Sequence, residues 1–139
     1  MPQEFSAGII AFREPQNPKF LLLKYTKGYW SFSRGGIEHG EDSRTAAIRE
    51  LKEETNLEPA KIFDGFKETA GLFYRKEGKI IHKDLTFYLA EAKEGEVKLT
   101  EHSDYGWFTF EEAMEKLQFK NDKEILKKAN EFLKKYLEC

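Results

Sequence analysis

Short runs of hydrophobic residues, broken by turn-forming residues, dominate the first two-thirds of the chain. Residues 5–12 and 20–25 are rich in Ile, Leu and Phe and are separated by a proline-containing segment, and residues 62–74 and 80–90 flank a glycine-containing turn. In the last of these runs, large hydrophobic side chains occupy every second position, which is the spacing of a strand with one buried face. Together with a short run at 105–109, these segments predict five β-strands.

Hydrophobic residues recur at helical spacing in three further places. The first predicted helix is capped by Asp42 or Ser43 and closed by Asn56, and its apolar residues share one face. A second helix begins at Thr109 with the spacing of a capping box, and a third begins at about Asp122. The order of strands, helix, strands and helices predicts an α+β fold with a mixed sheet.

Three carboxylates lie on one face of the first predicted helix. Glu50, Glu53 and Glu54 are spaced i, i+3, i+4, which brings neighbouring Cβ atoms to about 5–6 Å. Like charges so placed repel one another, and a hard divalent cation would turn that repulsion into coordination. The helix therefore combines a face that packs on a core with a face suited to binding metal; the alternative is a solvated acidic surface.

At these residues the chain resembles the Nudix hydrolase family, whose motif reads G-x5-E-x7-R-E-U-x-E-E-x-G-U with U aliphatic. Eight fixed positions fall in register, namely Gly35, Glu41, Arg49, Glu50, Leu51, Glu53, Glu54 and Leu57. The late glycine of the motif is replaced by Asn56, and asparagine is the next-best residue for a left-handed helix cap. The resemblance implies a Nudix α/β/α sandwich, with residues 1–139 forming a single domain.

The resemblance also implies a catalytic metal site for magnesium, with manganese as a possible substitute. Glu50, Glu53 and Glu54 would bind the ion, and one of them would help to deprotonate the attacking water. The carbonyl of Gly35 or Gly36 is a further candidate ligand, because glycine lets the backbone approach closely. Three supporting roles follow: Arg49 would orient a glutamate, Glu41 would hold the loop, and Glu101 would reach over the metal from a distal position. His102, beside Glu101, is a candidate to contact phosphate or metal; the alternative is the packing or hydrogen-bonding role that is more usual for a lone histidine.

Outside the motif, several segments keep the order of one branch of the family, among them Ser6–Ile10, Phe20–Leu23, Trp30–Phe32, Tyr88–Ala90 and Glu101-His102. In these segments the chain is most similar to the asymmetric diadenosine tetraphosphate hydrolases. That branch usually has Pro-Lys-Gly before the motif, where this chain has Ser33-Arg34-Gly35 in a predicted loop. Arg34 keeps a cation for phosphate, whereas Ser33 loses the fixed φ of proline. Lys83 falls where the branch has a phosphate-binding lysine, and Tyr74 is a candidate to stack on adenine. The alternatives are a strand-edge lysine and a half-buried sheet tyrosine.

Composition and charge indicate the class of protein and its cellular location. The 139 residues are 40% hydrophobic and carry a net charge of −2, which indicates a folded domain without a basic field for nucleic acid. Cys139 is the single cysteine, so no disulfide can form within the chain. With no evident secretory segment or membrane span, a cytoplasmic location is expected.

The favoured function is a metal-dependent pyrophosphohydrolase that cleaves diadenosine tetraphosphate with water to ATP and AMP. One alternative is a Nudix hydrolase of another substrate, such as a nucleoside triphosphate, a nucleotide sugar or the 5′-triphosphate end of an RNA. Another is a nucleotide-binding sensor without catalysis. The three intact glutamates favour an enzyme, since binding alone has little need for all of them.

Overall fold

The computed structural model describes residues 2–138, which leaves Met1 and Cys139 outside the described part of the chain. One mixed sheet of seven strands forms the centre of these residues, with strand order β3-β2-β1-β6-β5 and with β4 and β7 pairing β1 and β2. The strands are β1 (Gln3–Arg13), β2 (Lys19–Lys24), β3 (Trp30–Ser31), β4 (Ser33–Gly36), β5 (Pro59–Lys76), β6 (Lys79–Ala92) and β7 (Asp104–Phe108). The predicted α+β class with a mixed sheet is confirmed.

Alternation along the strands creates one hydrophobic layer on each face of the sheet. Ile10, Phe12, Phe87 and Leu89 pack into the layer beneath the C-terminal helices. Their neighbours, including Ile9, Ala11, Tyr88 and Ala90, pack on the other face against the first helix. Because successive side chains of a strand point to opposite faces, both layers follow from one pattern. The result is the α/β/α sandwich that the family resemblance implied.

Helix α1 (Ser43–Thr55) covers one face and begins and ends as its sequence predicts. The Asp42 carboxylate accepts a hydrogen bond from Thr45 N at 2.7 Å, so Asp42 rather than Ser43 is the N-cap. Asn56 adopts a left-handed conformation with φ of 67°, and its N–H donates to Lys52 O at 2.9 Å. The prediction that Asn56 forms a left-handed helix cap in place of the glycine of the motif is therefore confirmed.

Helices α2 (Phe110–Lys116) and α3 (Lys120–Glu138) cover the other face. The capping box predicted at Thr109 is present, with Thr109 and Glu112 each bonding the backbone N–H of the other. Helix α3 starts at Lys120, two residues before the predicted Asp122. Asp122 therefore lies within the first turn and is buried.

Two predicted segments differ from the structure. The segment expected to be a loop before the motif contains β4, whose residues Ser33–Gly36 pair with residues 6–9 of β1. The strands of the hairpin also extend beyond the predicted ends, to the turn at Glu77 and Gly78, where both residues have positive φ. In the part of the chain that the structure describes, no helix is long and apolar enough to cross a membrane.

Candidate active site

Strand β4 lies between the acidic helix and an open cleft, and its side chains alternate between the two. Ser33 and Gly35 face α1, where they contact Glu54 and Glu50, whereas the side chain of Arg34 lines the cleft. This division follows from the two-residue period of a strand. Residues 33–36, which were predicted as a loop, thus border the candidate metal site on one side and the candidate substrate cleft on the other.

Glu54 is the most enclosed of the three glutamates of α1. One carboxylate oxygen, Oε1, accepts hydrogen bonds from Ser33 Oγ at 2.7 Å and from Arg34 N at 3.1 Å. Burial, with a smaller contribution from the negative charge of Glu50, raises the pKa of the Glu54 carboxyl to about 7, although the two hydrogen bonds oppose that shift. Such a carboxyl can take up or release a proton near neutral pH.

Glu50 lies directly beneath Gly35. A Cβ atom added to Gly35 would come within 2.1–2.4 Å of the three carboxylate atoms of Glu50, so the position accepts only glycine while Glu50 keeps its place. Arg49 Nη1 donates to Glu50 Oε1 at 2.8 Å from the other side. Gly35 therefore allows close packing of a carboxylate on the backbone, and the role of its carbonyl as a metal ligand stays a prediction.

Arg49 ties the start of the motif to the helix. Its guanidinium forms a bidentate pair with Glu41, at 2.7 Å from Nε and 3.0 Å from Nη2, and also donates to Gly36 O at 2.9 Å. Nη1 further contacts Glu53 at 3.0 Å. These hydrogen bonds raise the pKa of Arg49 and, led by the bond from Arg49, lower the pKa of Glu41. Glu41 therefore holds the loop through Arg49.

The three glutamates are not yet arranged as a closed metal site. Within residues 2–138, no three acidic, histidine or cysteine side chains converge as metal ligands. Arg49 explains this arrangement, because its Nη1 forms ion pairs with the carboxylates of both Glu50 and Glu53. The Glu53 side chain is 57% exposed and can rotate, while the repulsion between Glu50 and Glu54 is what a cation would relieve. The donor set thus fits a hard divalent ion.

Two residues of the β6–β7 connection differ in their relation to the glutamates. The His102 side chain is 5% exposed, and its Nε2 lies 3.4 Å from Glu54 Oε2, while its Nδ1 has no hydrogen-bond partner among the described residues. Burial lowers the pKa of His102. Glu101 is exposed, and within the described chain no hydrogen bond or ion pair joins it to α1. Its metal-binding role stays a prediction, whereas His102 reaches the site.

The three predicted substrate residues line one cleft. Arg34, Lys83 and Tyr74 border a cavity of about 600 Å³ on the face of the sheet covered by α3. Lys83 Nζ lies 6.0 Å from the centre of the Tyr74 ring, and the Tyr74 hydroxyl donates to Glu4. Lys83 pairs with β1 on one side and β5 on the other, so the strand-edge alternative is wrong. Tyr74 is half-buried, as the second alternative held, yet it still faces the cleft.

Arg34 is held in the cleft by residues that the motif does not include. Its guanidinium carbon lies 5.4 Å and 5.9 Å from the ring centres of Tyr25 and Tyr29. The buried Asp122 carboxylate lies 3.9 Å from Nη1 and accepts a hydrogen bond from Ser31 Oγ at 2.7 Å. Burial, with a smaller contribution from the charge of Arg34, lowers the pKa of Lys83. Nothing in the local sequence marked Asp122, because its partners lie about ninety residues earlier.

The amino-acid sequence matches a known protein family and two characterised relatives. Residues 2–129 match the family described as NUDIX domain. The asymmetrical bis(5′-nucleosyl)-tetraphosphatase of Mus musculus is 32% identical over 142 residues, which cover 92% of this chain and 94% of the mouse protein. The protein of the same name from Caenorhabditis elegans is 33% identical over 135 residues, which cover 92% and 95% of the two chains.

Solved structures agree as well. The crystal structure of a C. elegans Ap4A hydrolase binary complex superimposes with a TM-score of 0.75 at 29% identity, covering 94% of this chain and 97% of that chain. The NUDIX domain of Shewanella oneidensis NrtR, solved with ADP ribose, has a TM-score of 0.76 at 20% identity over 96% and 90% of the chains, a likeness of fold alone. Nudix hydrolases generally use divalent metal ions. The chain belongs to the Nudix family and is a hydrolase of phosphoric anhydride bonds.

Proposed function

We propose that this protein cleaves diadenosine tetraphosphate asymmetrically with water, giving ATP and AMP, in a magnesium-dependent reaction that manganese also supports. The observation that carries the proposal is the cleft on the far side of β4. It places two cations, Arg34 and Lys83, and an aromatic side chain, Tyr74, next to β4. The backbone of β4 also donates a hydrogen bond to Glu54. A polyphosphate joined to an aromatic base has the complementary chemistry.

The glutamates of α1 are the proposed metal ligands. Glu50, Glu53 and Glu54 would hold the cation, with the carbonyl of Gly35 and the carboxylate of Glu101 as further ligands. When bound, a divalent cation neutralises phosphate charge and makes the attacking water more acidic. Arg49 would keep Glu50 in place through its hydrogen bond, and it would release Glu53, which is the more exposed partner.

The remaining chemistry belongs to side chains of this chain. Glu54 is suited to accept the proton of the attacking water, because its Oε2 is free of the hydrogen bonds from β4 that hold Oε1. Arg34 and Lys83 would bind non-bridging phosphate oxygens, and Arg34 can donate two parallel hydrogen bonds. Tyr74 would stack on an adenine and so set which phosphorus lies over the glutamates. Attack at one phosphorus breaks one bridging P–O bond, and the departing phosphate takes the electron pair.

Other features of the proposal are broader. We expect residues 1–139 to act as one domain, in the cytoplasm. We expect the substrates to be small nucleotides, because a net charge of −2 does not attract long nucleic acid. The aromatic face of the cleft favours a nucleoside end over inorganic polyphosphate.

Product analysis tests the proposal directly. Diadenosine tetraphosphate, nucleoside triphosphates, nucleotide sugars and 5′-triphosphate RNA are each incubated with magnesium and the products are separated by chromatography. The expected result is ATP and AMP from diadenosine tetraphosphate, with ¹⁸O from labelled water in only one of the two. ADP as the sole product would refute asymmetric cleavage, and faster turnover of another substrate would reassign the specificity. Nucleotide binding without any turnover would show that the protein is a sensor.

A further inference from the structure

Ser33 is a buried hydroxyl group at the centre of the site. The residue is 1% exposed, and its Oγ donates to Glu54 Oε1 at 2.7 Å, the usual length of a hydroxyl hydrogen bond. The strand pairing of β4 with Ile9 of β1 fixes the position of the donor. The hydroxyl group is therefore held by the sheet, while the carboxylate that it contacts is carried by the helix.

The contacts of Glu54 are divided between its two oxygens. Oε1 receives both Ser33 Oγ and Arg34 N, so the edge of β4 satisfies it fully. Oε2 is faced by His102 Nε2 at the longer distance of 3.4 Å. The two hydrogen bonds to Oε1 restrict rotation of the carboxylate, and Oε2, which accepts neither of them, is the oxygen left for a cation or a water proton.

We propose that Ser33 is a positioning residue, whose hydroxyl holds the Glu54 carboxylate in the one orientation that presents Oε2 to the reaction. This inference rests on the proposed role of Glu54. A proline at this position, as the related branch usually has, could not donate such a bond. In this chain the serine replaces backbone rigidity with a direct hydrogen bond to the functional group. Arg34 N supplies the second bond, so loss of Ser33 leaves Glu54 anchored at one point and able to rotate.

The test replaces Ser33 with alanine and measures two quantities on the full chain. Removing an outer hydrogen-bond partner of a metal ligand typically costs about 10–100-fold in metal affinity or activity. We therefore expect Ser33→Ala to weaken Mn²⁺ binding, measured by titration calorimetry, by about tenfold or more. The kcat for diadenosine tetraphosphate should fall to a similar extent, while KM changes by less than about threefold, because the cleft residues are untouched.

Two further variants separate positioning from packing. Ser43→Ala is the matched control, since it removes a serine hydroxyl that bonds Tyr88 Oη at 2.5 Å at the opposite end of α1, about 16 Å away. It should leave kcat and Mn²⁺ affinity within about twofold of wild type. Ser33→Cys fills the same space with a weak donor, and it should lose activity as alanine does even where the alanine variant folds poorly.

The outcome of a double variant decides the mechanism. In a Glu54→Gln background, Ser33→Ala should cause no further loss of kcat, because the group that it positions is gone. An equal loss in both backgrounds, or wild-type kcat and Mn²⁺ affinity in Ser33→Ala, would overturn the proposal. If wild-type protein cleaves no dinucleoside polyphosphate, the proposed substrate is wrong, and the Mn²⁺ affinities of Ser33→Ala and Ser43→Ala still decide the role of Ser33.

Discussion

Substituting Gly35 by alanine should damage catalysis far more than folding. The backbone at Gly35 does not adopt a left-handed conformation, so alanine can take the same φ and ψ. The added Cβ, however, would lie 2.1 Å from the carboxylate carbon of Glu50, where ordinary contact begins at 3.4 Å. The carboxylate must therefore retreat by about 1 Å or more, and the hydrogen bond from Arg49 Nη1 at 2.8 Å resists that movement.

The expected loss follows from this displacement. A misplacement of about 1 Å in a functional group costs on the order of 100-fold in rate. We expect Gly35→Ala to lower kcat by about that factor in a steady-state assay with magnesium, monitored by chromatography of the nucleotide products. The free energy of unfolding should change by only about 1 kcal/mol, because the clash is with the end of a side chain and not with the backbone.

Gly36→Ala provides the matched control for this prediction. A Cβ added to Gly36 meets no atom within 4 Å, and its carbonyl still accepts from Arg49. The variant should keep kcat within about threefold of wild type. Equal activity of the two alanine variants would show that the position of Glu50 beneath Gly35 has no bearing on turnover.

Four other predictions concern the metal, the pKa of Glu54, the helix cap and the stacking of adenine. Chelation with EDTA should abolish activity until magnesium or manganese is restored, and Glu54→Gln should lower kcat by orders of magnitude without unfolding the protein; near wild-type turnover in that variant would refute the site. Burial raises the pKa of Glu54 from its ordinary 4.5 to about 7. Between these pH values the metal-free folded protein keeps a proton on Glu54 that the unfolded chain releases. The free energy of unfolding of the metal-free protein should therefore fall as pH rises from 4.5 to about 7. Denaturant titrations across this range should show a flatter profile for Glu54→Gln. Asn56→Val should cost about 1 kcal/mol or more because φ is 67°, whereas Asn56→Gly should be neutral or mildly stabilising, and equal melting temperatures would contradict this. Tyr74→Ala should raise KM by the equivalent of about 1–3 kcal/mol with a smaller effect on kcat, and an unchanged KM would rule out stacking.

Features set by neighbouring residues were predictable from the sequence. The N-cap at Asp42, which was one of two candidates with Ser43, the left-handed Asn56 and the capping box at Thr109 each depend on contacts within a single helical turn. The hairpin turn at residues 77–78 is equally local. Amino-acid type alone is enough to identify such features, because the interacting groups are within four residues of one another.

Features set by distant residues were not predictable in this way. Ser33–Gly36 has the composition of a loop and becomes a strand because β1 offers it an edge to pair with. Asp122 is polar and lies in the first turn of α3, yet it is buried because Ser31 and Arg34 contact it. The role of Ser33 also depended on a contact across 21 residues, which only the fold brings about.

The pairing of β1 has a consequence for how the protein folds. This strand lies parallel to β6, with Gln3 opposite His82 and Phe12 opposite Glu91, and it also carries β4 as an antiparallel neighbour. Parallel pairing over so long a loop forms slowly, since the entropy of closing the loop is lost before the contacts are gained. Strand β4 can take its place only beside β1, so the glutamates and their backbone contacts should assemble late, in the same step as the long-range sheet. A chain lacking its first dozen residues would therefore retain every proposed ligand and still form no active site.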